Sequence, residues 1–174
     1  GMDIMLNTAD ISAAAILLPV EGAQLSELRQ IPAEGGPVLH MLRLDSPQFS
    51  QFGEIYFSEV LPRRVKAWKR HSLMTQLFAV PVGCIHVVLY DGREKSPTSG
   101  RLAQVTLGRP DNYRLLRIPP QVWYGFAATG DTPALVANCT DIPHRQGESE
   151  RAPQDAPFIP FSWAGADLSG TPVM

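Results

Sequence analysis

The sequence is short of charge, of cysteine and of long apolar runs, and each shortage removes a class of protein. Only 18% of its 174 residues are charged, and 15 basic against 17 acidic residues leave a net charge of −2. A chain so balanced has no strongly basic footprint for a nucleic-acid backbone, so no nucleic-acid partner is expected. Two cysteines, Cys84 and Cys139, are too few for a disulfide scaffold and lack metal-type spacing. Both sit in apolar runs and read as reduced core thiols of a cytoplasmic protein. The most apolar early stretch, Ala13 to Val20, is far shorter than the ~20 residues a spanning helix needs. Asp3 and Asp10 precede it where a signal peptide carries Lys or Arg, so no membrane segment is expected either. The histidines His40, His71, His86 and His144 form no i, i+2 or i, i+4 pair. A first-row metal takes about three converging ligands, so no metal site is expected. There is no glycine-rich phosphate loop, no internal repeat and no local context for a Ser-His-Asp or Cys-His nucleophile.

Proline and glycine, by contrast, are plentiful at 16 and 14 residues. So many breakers leave little room for long helices. A chain of this length folds as one domain and hides roughly 70% of its unfolded surface, which needs no disulfide or metal support. From Val38 onward, short runs rich in β-branched and aromatic residues recur about every ten residues: VLHMLRL, EIYFSEV, VKAWKRH, QLFAVPV, CIHVVLYD, LAQVTL, YRLLRI, WYGFAA and ALVANC. Turn chemistry separates several of them, as at Val82-Gly83, Asp91-Gly92 and Pro119-Pro120. About nine strands at this spacing, with no interleaved helices, predict an antiparallel sandwich or barrel. Residues 1–37 are expected to form an irregular N-terminal arm with one or two helical turns, since Leu25 and Leu28 have helical spacing and Ser26 suits a turn start. The barrel is expected over 38–163. Its polar, proline-rich segment 140–157 crosses the surface and docks again at Trp163, and 164–174 form a tail.

Strand geometry sorts the polar residues. Successive side chains point to opposite faces, so in KAWKRH the residues Ala67, Lys69 and His71 are expected on one face and Lys66, Trp68 and Arg70 on the other. In CIHVVLYD, Ile85, Val87 and Leu89 form an apolar face and His86 lies opposite them. Lys69 and His71 together do not belong in dry core, because lysine is almost never buried unpaired. That face meets either bulk water or a polar cavity.

The blocks VKAWKRHSLMTQ, DGREKSPTSG, RIPPQVWYGF and IPFSW, in that order between about Gly53 and Trp163, resemble the dTDP-4-dehydrorhamnose 3,5-epimerase family and its relatives, the dTDP-sugar isomerases of the cupin superfamily. The resemblance implies an all-β double-stranded β-helix, or jelly-roll barrel. It also implies a homodimer, no cofactor, and a sugar nucleotide bound inside one barrel end. The family's chemistry is proton transfer beside a 4-keto group, in the synthesis of surface-polysaccharide sugars. Carried over by position, Lys69 stands where the family has its histidine base, and His71 matches the second histidine of the 3,4-ketoisomerase-like branch. Tyr124 replaces the histidine of the family's HGF, Gln76 a lysine, and Ala137 an acidic tyrosine. On this resemblance His71 is the base, Lys69 stabilises the enolate oxygen and Tyr124 returns the proton. Lys66 stands at an arginine position and holds a diphosphate oxygen, while Gln76 and His86 line the same cavity. Arg93 braces its turn. With four family positions substituted, a second reading stays open: a catalytically silent or repurposed cupin that binds a sugar nucleotide or another small ligand.

Overall fold

A computed structural model describes residues 15–170 of the chain. It is all β. The strands are β1 (Ile16–Leu17), β2 (Gln24–Glu27), β3 (Gln30–Ile31), β4 (Val38–Leu39), β5 (Glu54–Val60), β6 (Val65–His71), β7 (Gln76–Val82), β8 (Cys84–Tyr90), β9 (Leu102–Gly108), β10 (Arg114–Ile118), β11 (Trp123–Ala128), β12 (Ala134–Thr140) and β13 (Ser149–Arg151). Two antiparallel sheets face each other, one in the order β1-β2-β10-β7-β12-β5 and the other β13-β6-β11-β8-β9, with β3 and β4 as a small separate pair. This is the antiparallel sandwich that the strand spacing predicts, in the jelly-roll form that the resemblance implies. No described helix is long and apolar enough to cross a membrane.

Alternation explains the core. Ile85, Val87 and Leu89 of β8 meet Leu116 and Ile118 of β10, Phe78 and Val80 of β7 and Val136 of β12 between the sheets. Each fully buried side chain of this kind contributes roughly 1.5–3 kcal/mol of transfer free energy. The opposite face of the five-stranded sheet carries Trp68, Val88, Trp123 and Ala127. The C-terminal segment covers them with Ala156, Ile159 and Trp163. The outer face of the six-stranded sheet buries Leu77, Ala79, Leu115 and Cys139 beneath Leu28, Leu39, Met41 and Leu42.

Four expectations need correction. The helical turns expected in the arm are absent among the described residues, and residues 1–14 lie outside those residues. Instead Gln24–Glu27 is a strand paired with β10, with Leu116 opposite Leu25. The free edge of β10 supplies backbone partners that a short helix at marginal propensity cannot match. Of the run VLHMLRL only Val38–Leu39 pairs, with β3. The polar 140–157 segment adds an edge strand, β13, to β6.

The fourth correction concerns the faces of β6. Tyr124 pairs with Lys69, but the next residue, Gly125, pairs with Ala67, leaving Trp68 as an extra residue opposite the step. This β-bulge resets the alternation, so Lys66 falls on the same inner face as Lys69 while Ala67 joins Trp68 on the outer, apolar face. Glycine is required at position 125: a Cβ there would lie 2.6 Å from the Ala67 Cβ and 3.2 Å from the Trp163 ring. The bulge and its covering tryptophan thus depend on one missing side chain.

Candidate active site

Between the open ends of the two sheets lies a cavity of about 550 Å³, well within the range of small-molecule sites. Phe78, Phe126 and Val136 form its apolar part. Its polar wall comes from both sheets: Lys66, Lys69, Tyr124 and Arg151 from the five-stranded one, and Tyr56, Ser58 and Asn138 from the six-stranded one. The Lys66 Nζ donates to the Ser58 Oγ at 2.9 Å and to the Glu59 carbonyl at 2.7 Å. Lys69 is half-buried beside Arg151, its cross-strand partner. Burial first, and then the Arg151 charge, lower its pKa, with Glu148 pulling the other way.

His71 sits one layer behind the cavity, 4% exposed. Its Nδ1 lies 2.6 Å from the Glu148 Oε1 and its Nε2 lies 3.3 Å from the Tyr124 hydroxyl. The other carboxylate oxygen of Glu148 accepts the backbone N–H groups of Leu73 and Met74, each at 3.0 Å. A carboxylate facing Nδ1 selects the tautomer protonated there, which leaves Nε2 free to accept the Tyr124 O–H. Burial lowers the His71 pKa below its ordinary value, more than the Glu148 contact raises it, and Lys69 and His144 lower it further. Burial opposes the Glu148 charge, yet His71 and the two backbone donors outweigh it and hold the carboxyl below its usual range. Tyr124 is pushed well above a normal phenol, chiefly by burial and then by Tyr56. The resting arrangement is therefore carboxylate, neutral imidazole and protonated phenol.

On the opposite wall the Asn138 Nδ2 donates to the Tyr56 hydroxyl at 2.9 Å and to the Gln76 Oε1 at 3.0 Å. The Asn138 Oδ1 is buried with no protein partner. Burial raises the Tyr56 pKa, against the Asn138 hydrogen bond.

Of the six residues singled out by sequence, Lys66, Lys69 and Tyr124 line the cavity and His71 backs it through Tyr124. Gln76 is 1% exposed and meets the cavity wall through Asn138 and through the Tyr124 hydroxyl, whose pKa it lowers. His86 lies elsewhere: its Nε2 is 2.9 Å from the Gln104 Oε1, and its ring packs against Phe161 and Trp163 outside the five-stranded sheet. The period-two rule explains this, since the neighbours Ile85 and Val87 point inward. Arg93 does brace its turn, donating from Nε and Nη2 to the buried Asp91 carboxylate at 2.9 and 3.0 Å. Among the described residues no three His, Cys, Asp or Glu side chains converge as metal ligands would.

Sequence reasoning missed Glu148, Tyr56, Asn138 and Arg151. Glu148 had no signal, because it lies in a polar, proline-rich stretch and meets His71 across 77 positions. Tyr56 was findable: in EIYFSEV the alternation sets Tyr56 and Ser58 against Ile55 and Phe57.

The comparisons agree on one family. The family model described as dTDP-4-dehydrorhamnose 3,5-epimerase matches residues 63–171. The chain is 34% identical over 156 residues to the probable low-salt glycan biosynthesis epimerase Agl13 of Haloferax volcanii, covering 87% of this chain and 98% of that one. It is 31% identical over 146 residues to the spore coat polysaccharide biosynthesis protein SpsL of Bacillus subtilis, covering 83% and 96%. Its fold matches dTDP-6-deoxy-D-glucose-3,5-epimerase RmlC of Legionella pneumophila, solved in complex with dTDP-4-keto-L-rhamnose, with a TM-score of 0.76 at 18% identity over 89% and 85% of the two chains. At that identity the likeness speaks for the fold.

Proposed function

The chain belongs to the dTDP-4-dehydrorhamnose 3,5-epimerase family, and from there we propose that it isomerises a dTDP-4-keto-6-deoxyhexose by proton transfer beside the keto group. The relatives named for glycan and spore-coat polysaccharide synthesis support a role in making surface-polysaccharide sugars. One observation carries the reading: the Tyr124 hydroxyl stands on the cavity wall with His71 and Glu148 behind it and Lys69 beside it.

A keto group acidifies the neighbouring C–H because the resulting electron pair spreads onto oxygen as an enolate. Tyr124 touches the substrate and takes that proton on its oxygen while its own proton passes to the His71 Nε2. The imidazolium so formed lies against the Glu148 carboxylate, where the charge is stabilised. Lys69 places its ammonium at the enolate oxygen. Lys66 and Arg151, on the same wall, hold the diphosphate, Lys66 as a point charge and Arg151 with its fork. His71 thus acts through Tyr124 instead of meeting the sugar directly.

The decisive experiment follows dTDP-4-keto-6-deoxyglucose by NMR in deuterated water. Enzyme-dependent entry of deuterium at carbon 3 or 5 is expected. Thermal stabilisation by dTDP with no exchange and no product would replace this reading with that of a repurposed binding protein.

The protein acts as a homodimer on this reading. β5 is a sheet edge, and its outward Ile55 and Phe57 are 50% and 62% exposed, an apolar strip of the kind a second copy covers. Sedimentation equilibrium is expected to return twice the 19.1 kDa chain mass; a monomer at tens of micromolar would refute it.

A further inference from the structure

We propose that Tyr56 is a catalytic residue that protonates the sugar carbon from the face opposite Tyr124, which makes this a site for inverting a carbon, not for sliding a carbonyl along the ring. The inference rests on the isomerase reading above and deepens it.

The argument begins with placement. Tyr124 and Lys69 project from β11 and β6 of the five-stranded sheet, and Tyr56 and Asn138 from β5 and β12 of the six-stranded one. Facing sheets stand about 10 Å apart, so a pyranose ring between them presents one face to each wall. Tyr56 and Tyr124 line the same cavity from different sheets.

Hydrogen bonding then decides what Tyr56 can do. Its oxygen accepts from the Asn138 Nδ2 at 2.9 Å, which turns the hydroxyl hydrogen away from that amide. Among the described residues no acceptor takes that hydrogen, so it is available to whatever fills the cavity. The Asn138 amide is fixed by its second bond, to the Gln76 Oε1. Its own Oδ1 is buried without a protein partner, so only the Nδ2 end of the amide meets Tyr56. Burial keeps Tyr56 protonated at neutral pH.

Stereochemistry supplies the rest. Moving a keto group to the adjacent carbon needs proton transfer on one face, which the Tyr124–His71 pair provides alone. Inversion needs a proton removed from one face and another delivered to the other. In the first step the C–H bond breaks, its proton goes to the Tyr124 oxygen, the Tyr124 proton goes to the His71 Nε2, and the electron pair forms the enolate. In the second the enolate carbon takes the proton of the Tyr56 O–H, the keto group re-forms, and the tyrosinate is held by the Asn138 N–H. Water at the cavity mouth then reprotonates Tyr56. His71 returns its extra proton to the Tyr124 oxygen as that oxygen releases the carbon's proton to water. Protons and charge balance over the cycle.

Tyr56→Phe tests the claim, with wild type and variant each incubated with dTDP-4-keto-6-deoxyglucose in deuterated water. The wild type is expected to yield inverted, deuterated product. Y56F is expected to keep washing deuterium into the same carbon with configuration retained, while inverted product falls by about 100-fold or more. Inversion at the wild-type rate in Y56F, or loss of exchange together with inversion in a variant that melts like wild type, would overturn the proposal. So would a wild type whose only product has its keto group shifted. Should Y56F not fold, Asn138→Asp asks the same question: the new carboxylate captures the Tyr56 proton, so inversion should fall while exchange persists, and unchanged inversion counts against Tyr56. A wild type with no exchange at all sinks the isomerase reading itself, an outcome distinct from exchange that ignores Tyr56.

Discussion

Tyr124→Phe is expected to lower kcat by roughly 10³- to 10⁴-fold while leaving KM and the melting temperature close to those of the wild type. The substitution deletes one oxygen. The ring that stays behind keeps its edge contact with Phe78 at a centroid distance of 5.9 Å and its stacking over Phe126 at 6.5 Å. What disappears is the group between substrate and imidazole, since the His71 Nε2 reaches the cavity only through that hydroxyl, 3.3 Å away. The stability cost is that of one long hydrogen bond in a buried setting, about 1 kcal/mol. Single-turnover measurement with dTDP-4-keto-6-deoxyglucose separates this from a binding defect. A kcat within tenfold of wild type would mean that another group takes the carbon's proton, with Lys69 the first to test.

The extent to which this architecture is legible in sequence follows from how local each determinant is. The strand run from EIYFSEV to ALVANC is legible because alternation and turn residues act over a few positions, and the resulting strands agree with that reading. The arm is not, because Leu25 and Leu28 fit a helix and a strand equally, and the choice is made by pairing with β10, far along the chain. Lys66 was assigned to the wrong face for a sharper reason. Period-two arithmetic holds only along an unbroken ladder, and the extra residue Trp68 shifts the phase of everything before it. A glycine at position 125, opposite Ala67 and packed against the Trp68 ring, is the one local mark of the bulge. Glu148 lay beyond reach altogether: its partner is set by the register of β13 on β6, with Ser149 opposite His71, and nothing in a polar loop announces which strand edge it will join. Catalytic machinery assembled across a strand register is thus harder to read than the barrel that carries it.

Glu148→Gln is expected to lower kcat by roughly 10²- to 10³-fold and to move the acid limb of the pH–rate profile to lower pH. Glu148 touches no substrate; it is a positioning residue acting through His71. As a carboxylate it accepts the Nδ1 proton at 2.6 Å and so fixes Nε2 as the acceptor for Tyr124. A glutamine amide can donate to Nδ1 as well, and imidazole then turns its only proton toward Tyr124, where it blocks the relay. The sign of the pH effect follows from the separate influences on His71. In the wild type its pKa lies below 6.5, burial outweighing the upward pull of Glu148, with Lys69 and His144 adding to the depression. The relay needs neutral imidazole, so activity is lost as pH falls below 6.5 through the folded value. Removing the carboxylate removes the one upward influence, and the limb must move further toward acid. Stability carries an independent signature. Glu148 has a folded pKa below its ordinary 4.5, so its stabilising share is present above 4.5 and lost as pH falls through the folded value. In E148Q that dependence disappears, and melting at neutral pH drops by about 1–3 kcal/mol for the disrupted buried cluster. Glu148→Asp, which restores charge at a shorter reach, should recover part of kcat. A merely structural residue would move the melting curve and leave the acid limb where it was, and that result would remove Glu148 from the relay.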